Sequence, residues 1–280
     1  MEDNFLRDFI SASLDEDIGS GDHSSLSCIP GDAKGKAVLL VKEKGILAGI
    51  RISSKIFETV DNSLKQDILI SDGAEVNPGD IGFYLSGSQQ SILKAERLTL
   101  NIMQRMSGIA TAAHEYAGKL HGLKTKILDT RKTTPGFRFL EKEAVRIGGG
   151  LNHRMGLYDM ILLKDNHIDY AGGIENAILR TRDYLKMNNL NLKVEIEARN
   201  NEDVRKILSV GFVDRIMLDN FTVQDTRVAV KEIAGRYETE SSGGITLSTI
   251  RSYAECGVDF ISVGALTHHI KSLDMSLKAV

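Results

Sequence analysis

From residue 124 onward one pattern recurs: an apolar run of strand character, a stop in polar or glycine-rich residues, then an amphipathic helix. The runs are TKILDTRK (125–132), MILLKDNH (160–167), KVEIEARN (193–200), RIMLDN (215–220), YETESSGG (237–244) and FISVGALTH (260–268). Helical stretches lie between them, among them 174–187, 201–210 and 247–256. Strand and helix alternating at this spacing mean parallel strands joined by crossover helices. Two architectures satisfy that rule. An open dinucleotide-type sheet gathers its glycines in one turn after the first strand, whereas a (β/α) barrel rings one site with the ends of all its strands. Polar residues end every run here, so the expectation is a barrel with its site at the strand C-termini.

The first hundred residues have another rhythm. Residues 36–49 read as two short strands around Lys44-Gly45, and 72–86 as a further pair with a Pro-Gly turn, with helices at 4–14 and near 50–60. The turn VNPGD carries no lysine at its tip, which argues against a lipoyl-type hairpin. Residues 91–120 run helical, with apolar positions at Leu93, Leu98, Ile102, Met106 and Ile109 and an interruption at Gly108, where the domain boundary is placed. The balance of 35 basic and 38 acidic residues gives no global field for nucleic acid or an anionic membrane. Cys28 and Cys256 are far apart and read as packing residues, and MEDNFLRDFI has acids where a secretory leader needs bases. No apolar run approaches the ~20 residues of a membrane span. A cytoplasmic protein is expected.

The run ending LLKDNH finishes a buried-looking strand on polar residues, which places Lys164 at the barrel mouth; the plainer alternative is a solvated loop. Other cations gather near it: Arg131 and Lys132 end the preceding run, and His153 and Arg154 follow three glycines. An arginine fork matches a carboxylate and lysine adds a compact charge, so this mixture suits a small polyanion. Asp129, Asp159 and Asp165 are close in sequence and offer the alternative of an internal ion-pair network. Glu197 and Asp219 end two consecutive strands, suited to Mg²⁺ or to sugar hydroxyls. Glu195 shares the phase of Glu197, and Asp219-Asn220 reads equally as a helix cap. SSGG (241–244) and VGALTHH (263–269) end the last two strands, where barrels bind phosphate on backbone amides.

The block DTRKTTPGFRFLEKEAVRIGGGLNHRMGLYDMILLKDNH (129–167) resembles the centre of the quinolinate phosphoribosyltransferases, and ERLTLNIMQRMSGIAT (96–111), VEIEARN, MLDN, ESSGGI and GVDFISVGALTH follow in the same order. The resemblance implies an α/β fold: an N-terminal α/β sandwich domain (1–108, completed by 269–280) and a C-terminal partial, TIM-like (β/α) barrel (109–268). It implies an enzyme that joins quinolinate to phosphoribosyl pyrophosphate (PRPP) with Mg²⁺ in NAD biosynthesis, releasing pyrophosphate and CO₂ and leaving nicotinate mononucleotide. By the same resemblance Arg131, His153, Arg154 and Lys164 hold the quinolinate carboxylates, and Lys132 lies between acceptor and phosphoribosyl group. Glu197 and Asp219 face the ribose and the metal-pyrophosphate end, and Ser242, Gly243, Gly264 and His268 cradle the 5'-phosphate. Lys132, Lys164, Glu197 and Asp219 are the catalytic set. Arg97 is lent to a neighbouring subunit, in a homo-oligomer that is a dimer or a hexamer of dimers. The rival readings are a related pyrophosphorylase-like phosphoribosyltransferase with another acceptor, a Schiff-base aldolase using Lys164, and a phosphoribosyl-binding protein without turnover.

Overall fold

The computed structural model describes residues 2–280, with side chains from Asn4 onward. Its elements begin with α1 (Glu2–Ile18), α2 (His23–Cys28), β1 (Lys34–Val41), β2 (Gly45–Ile46), α3 (Ile50–Val60), β3 (Lys65–Ile68), β4 (Glu75–Val76), β5 (Ile81–Ser88) and α4 (Gln89–Lys119). The chain continues with β6 (Lys126–Leu128), α5 (Arg138–Ile147), β7 (Ile161–Leu163), α6 (Asp165–Ala171), α7 (Ile174–Met187), β8 (Val194–Ala198) and α8 (Asn201–Val210). It ends with β9 (Arg215–Asp219), α9 (Val223–Ile233), β10 (Glu238–Ser242), α10 (Ile250–Ala254), β11 (Phe260–Ser262), α11 (Ala265–His268) and β12 (Met275–Ala279). Among the described residues no helix is long and apolar enough to cross a membrane. Packing divides the chain into two compact units, Met1–His114 with Thr134–Gly149 and His269–Val280, and Glu115–Thr133 with Gly150–His268.

The first unit is built on an antiparallel sheet of order β12-β1-β5-β3. The β-branched and leucine-rich run AVLLV favours the strand and buries Leu39 and Val41, with Phe83 and Leu85 beside them from β5. The C-terminal strand β12 pairs with β1 from Ala37↔Ala279 to Val41↔Met275. The turn between α1 and α2 has a structural use: Asp22 caps α2 by accepting the Ser25 amide at 3.1 Å, and the Ser25 hydroxyl donates to the same carboxylate.

One expectation is corrected here. Gly108 does not interrupt the helix, because α4 runs unbroken from Gln89 to Lys119. The glycine instead lets α4 approach the C-terminal segment, since a Cβ there would land on the Lys271 carbonyl oxygen. Of the expected stripe, Ile102, Met106 and Ile109 are buried and Leu98 is half-buried, whereas Leu93 is exposed, with Ile92 and Ala95 buried beside it. In the packing, α4 runs through residue 108, and Thr134–Gly149 belongs to the first unit. The cause is α5, whose Leu140, Ala144 and Val145 are buried and whose fully buried Glu141 pairs with Arg105 at 2.6 Å.

The second unit holds six parallel strands in the order β6-β11-β10-β9-β8-β7. This is the partial barrel that the resemblance implies, with β6 and β7 at its two edges. All five residues of β8 are buried, so the acids in VEIEA enter the core along with its aliphatics. Helix starts follow the strand ends closely. Asn200 caps α8 through the Asp203 amide at 3.0 Å, and Thr222 caps α9 through the Asp225 amide at 3.1 Å.

Candidate active site

Strand C-termini of the second unit surround a cavity of about 850 Å³. Arg131, Lys132, His153, Arg154, Lys164, Glu197 and Asp219 line it, together with Ser242, Gly243, Gly264 and His268. Of the residues expected in the site, Arg97 alone does not. It is exposed on α4 in the first unit, beside Phe9, Ser13 and Asp17.

The cationic residues are held by backbone. Leu151 adds to the edge of β6 by a parallel bridge to Leu128, and its amide donates to the Ile127 carbonyl at 2.9 Å. That brings the His153 amide to Asp129 Oδ1 at 2.9 Å, on a carboxylate with no exposure. Asp159 closes the following turn by accepting the Met155 and Gly156 amides at 2.7 and 2.9 Å. Arg154 is 8% exposed and donates from Nη1 to the Met160 carbonyl at 3.1 Å. Burial, then the neighbouring Arg131 charge, pulls its guanidinium below the usual value, with Glu195 and Asp159 opposing. Two guanidiniums side by side at a cavity wall are chemistry suited to an anion.

LLKDNH turns out to be a strand end and a helix start at once. Lys164 precedes α6, and its amide donates to His167 Nδ1 at 3.1 Å, so the imidazole caps the helix. Only Lys164 and Asp165 of the four polar residues reach the cavity wall.

Glu197 is buried beside the half-buried Asp219. Burial first, then the Asp219 charge, pushes the Glu197 carboxyl up to about 7, against the Lys164 charge. Its Oε2 has no hydrogen-bond partner among the described residues. Asp219 does not cap α9, which starts from Thr222. It is steadied by Asn220, whose Nδ2 donates to Asp219 Oδ2 at 2.6 Å. Asn220 sits at φ 55, and its amide donates to the Ser242 carbonyl at 2.9 Å. Gly243, at φ +91, must be a glycine, because a Cβ would fall on Asn220 Oδ1. Gly264 likewise leaves room for two side chains: a Cβ would meet His268 Nε2 at 2.9 Å and Lys132 Cδ at 3.2 Å. Thr267 Oγ1 donates to the Lys132 carbonyl at 2.6 Å, tying the segment after β6 to α11.

Two family profiles match the chain, Quinolinate phosphoribosyl transferase, N-terminal domain, over residues 22–107 and the C-terminal domain of the same family over 109–278. The chain belongs to the quinolinate phosphoribosyltransferase family. A chloroplastic nicotinate-nucleotide pyrophosphorylase (carboxylating) of Arabidopsis thaliana is 46% identical, across 98% of this chain and 82% of its own length. A probable nicotinate-nucleotide pyrophosphorylase (carboxylating) of Bacillus subtilis is 42% identical, across 94% of this chain and 89% of its own. The solved nicotinate-nucleotide pyrophosphorylase of Francisella tularensis superposes with a TM-score of 0.92 at 39% identity, covering 99% of this chain and 96% of the other.

Within this member of the family, sequence reasoning passed over Glu240 and Arg215. Glu240 lies on the cavity wall with no exposure, and Arg215 donates to it from Nη1 at 3.0 Å. A signal was present: β8, β9 and β10 each carry a charged residue inside the strand, and register sets Arg215 opposite both Glu195 and Glu238.

Proposed function

We propose that this cavity transfers the phosphoribosyl group of PRPP to the nitrogen of quinolinate, with loss of CO₂, giving nicotinate mononucleotide and pyrophosphate for NAD biosynthesis. The observation that carries this reading is one cavity holding four cations, Arg131, Lys132, Arg154 and Lys164, together with an acid pair and two glycine-bounded strand ends. A dianionic acceptor entering a site that excludes water needs fixed cations, since unpaired burial of its charge is prohibitive. Arg131, Arg154 and Lys164 meet that need, with His153 completing the wall, and Lys132 stands where acceptor and donor join. Ser242, Gly243, Gly264 and His268 receive the 5'-phosphate, on backbone that glycine keeps open.

As pyrophosphate departs, C1 of the ribose becomes electron-poor and the pyridine nitrogen bonds to it. Glu197 and Asp219 face that developing charge. The nitrogen is then cationic and adjacent to the carbon bearing one carboxylate, so the electron pair left by CO₂ is stabilised where it forms, and a proton takes the vacated position. No side chain needs to bond to substrate. The protein works by positioning and by charges fixed beforehand.

Glu197 and Asp219 also fit a divalent cation, because the unpartnered Glu197 Oε2 and the mutual repulsion of the pair are both relieved by one. Mg²⁺ held there with PRPP would neutralise charge on the leaving pyrophosphate. Arg97, exposed on α4, serves the site of a second subunit in a homo-oligomer, and the enzyme works in the cytoplasm.

The test is one assay with Mg²⁺ and PRPP, offering quinolinate or nicotinate and following nucleotide and CO₂ together. Equal release of both from quinolinate alone is expected. Turnover of nicotinate, or no turnover by folded protein, overturns the reading.

A further inference from the structure

At the floor of the cavity lies a charged cluster of which the reaction as written uses only His153. His153 Nε2 stands 3.0 Å from Glu195 Oε2 and 3.5 Å from Glu240 Oε2, contacts of ion-pair distance without hydrogen-bond alignment, and both carboxylates have no exposure. Arg215 backs the pair: Nη1 is 3.0 Å from Glu240 Oε2 and 4.0 Å from Glu195 Oε2, and its guanidinium carbon lies 4.0 Å from the centre of the Phe260 ring. A second bond, 3.0 Å from Nη2 to Glu238 Oε2, fixes the guanidinium plane.

One nitrogen, two carboxylates and mutual spacing within 4.8 Å have the form of a metal site. The other face of the imidazole argues against it. His153 Nδ1 accepts the Arg154 amide at 2.7 Å, and an amide N–H can only donate, so Nδ1 carries no proton. The ring proton is on Nε2, between the two carboxylates, and a protonated nitrogen has no lone pair for a cation. Arg215 already occupies Glu240.

The same fact gives the cluster a purpose. Residue 153 is pinned by its amide on Asp129 and by Nδ1 on the next amide, and that next residue is Arg154. We propose that Glu195, with Glu240 and Arg215 behind it, is a positioning residue: it holds His153 in the Nε2–H form, so that Nδ1 takes the Arg154 amide and sets the guanidinium for a carboxylate of the acceptor. This rests on the reading of the cavity as a quinolinate site. The charges sit inside three adjacent strands at a cost in desolvation, which a purely structural core avoids with apolar residues. Their return is a fixed tautomer at the pocket floor.

The experiment has two arms. Long-range ¹H–¹⁵N spectra of the wild-type protein, with the His153 signals assigned by their loss in His153→Gln, read the tautomer directly. A neutral ring protonated on Nε2 is expected; protonation on Nδ1, on both nitrogens, or a metal-shifted ring overturns the proposal. In the second arm Glu195→Gln keeps the shape and removes the charge. Its KM for quinolinate should rise about tenfold, the loss of one well-aimed charged hydrogen bond, with the KM for PRPP within about twofold. Arg215→Lys should shift the same constant in the same direction if Glu195→Gln does not fold. Unchanged quinolinate KM, or equal rises for both substrates, overturns the positioning role. Absence of turnover by the wild type with quinolinate would overturn the cavity reading instead, and the spectra would still report the tautomer.

Discussion

The two buried carboxylates make stability depend on pH in an unusual direction. Burial, then the charge of Glu195, pushes the Glu240 carboxyl from 4.5 up to about 8, and burial carries Glu195 up to about 7 against the pull of Arg215. Near neutrality the folded pair therefore keeps a proton that the unfolded chain, with ordinary carboxyls, has released. The folded state binds more protons, so stability is greatest below the unfolded value and falls as pH rises toward the folded one. One retained proton gives a slope of about 1.4 kcal/mol per pH unit. Across the two units from about pH 5.5 to 7.5 the loss is about 2–3 kcal/mol, counting the coupled pair as one proton. Glu240→Gln cannot ionise and mimics the protonated acid toward Glu195, so it should lack the share of this slope that Glu240 contributes. The measurement is the urea midpoint of each chain across that range. Other titrating groups are common to both and cancel in the difference. Relative to wild type, Glu240→Gln should gain about 2 kcal/mol between the two ends of the range. Parallel curves would refute the reasoning, because they would mean that Glu240 is ionised throughout or that its proton is not lost on unfolding.

The site and the fold give further expectations. Arg131→Ala and Arg154→Ala should each lower kcat/KM for quinolinate by roughly ten- to several-hundredfold, from about 1.5–3 kcal/mol per charged contact; near wild-type rates in both folded variants would remove the carboxylate pocket. Gly243→Ala places a Cβ on Asn220 Oδ1 at a left-handed φ, so the KM for PRPP should rise about tenfold while that for quinolinate holds; the reverse pattern would dissociate this glycine from the phosphate. Gly108→Ala sets a methyl against the Lys271 carbonyl and should lower the denaturant midpoint by the equivalent of about 1–3 kcal/mol, whereas an unchanged midpoint would mean that the C-terminal segment yields freely.

Most of the cavity wall was legible because a parallel sheet brings one end of every strand to one place. Polar residues at those ends, from Arg131 to His268, needed no knowledge of packing to be gathered. What depended on distant partners was not legible. RFLEKEAVRI has a helical stripe, but its place in the first unit is set by Arg105, which meets Glu141 across 36 positions of sequence. Gly108 looked like a break because its reason, the Lys271 carbonyl, lies far along the chain. Arg97 is an exposed residue of a long helix, and nothing local separates it from its neighbours.

Glu240 and Arg215 were hidden for another reason. In a strand buried on both faces the alternation that sorts inward from outward residues is lost, and β8 is buried at all five positions. Charge is then the remaining signal. A carboxylate in the middle of such a strand must be paired or protonated, so a partner can be sought on the adjacent strand before any coordinates exist. Here that search leads from Glu195 to Arg215 in β9, its register partner, and on to Glu240 in β10, which accepts from Arg215 Nη1. The same rule separates the two acids of VEIEA. Glu195 finds Arg215 and stays in the core, whereas Glu197, two positions nearer the strand end, finds only Asp219 beside it and Lys164 beyond, and is left facing the cavity.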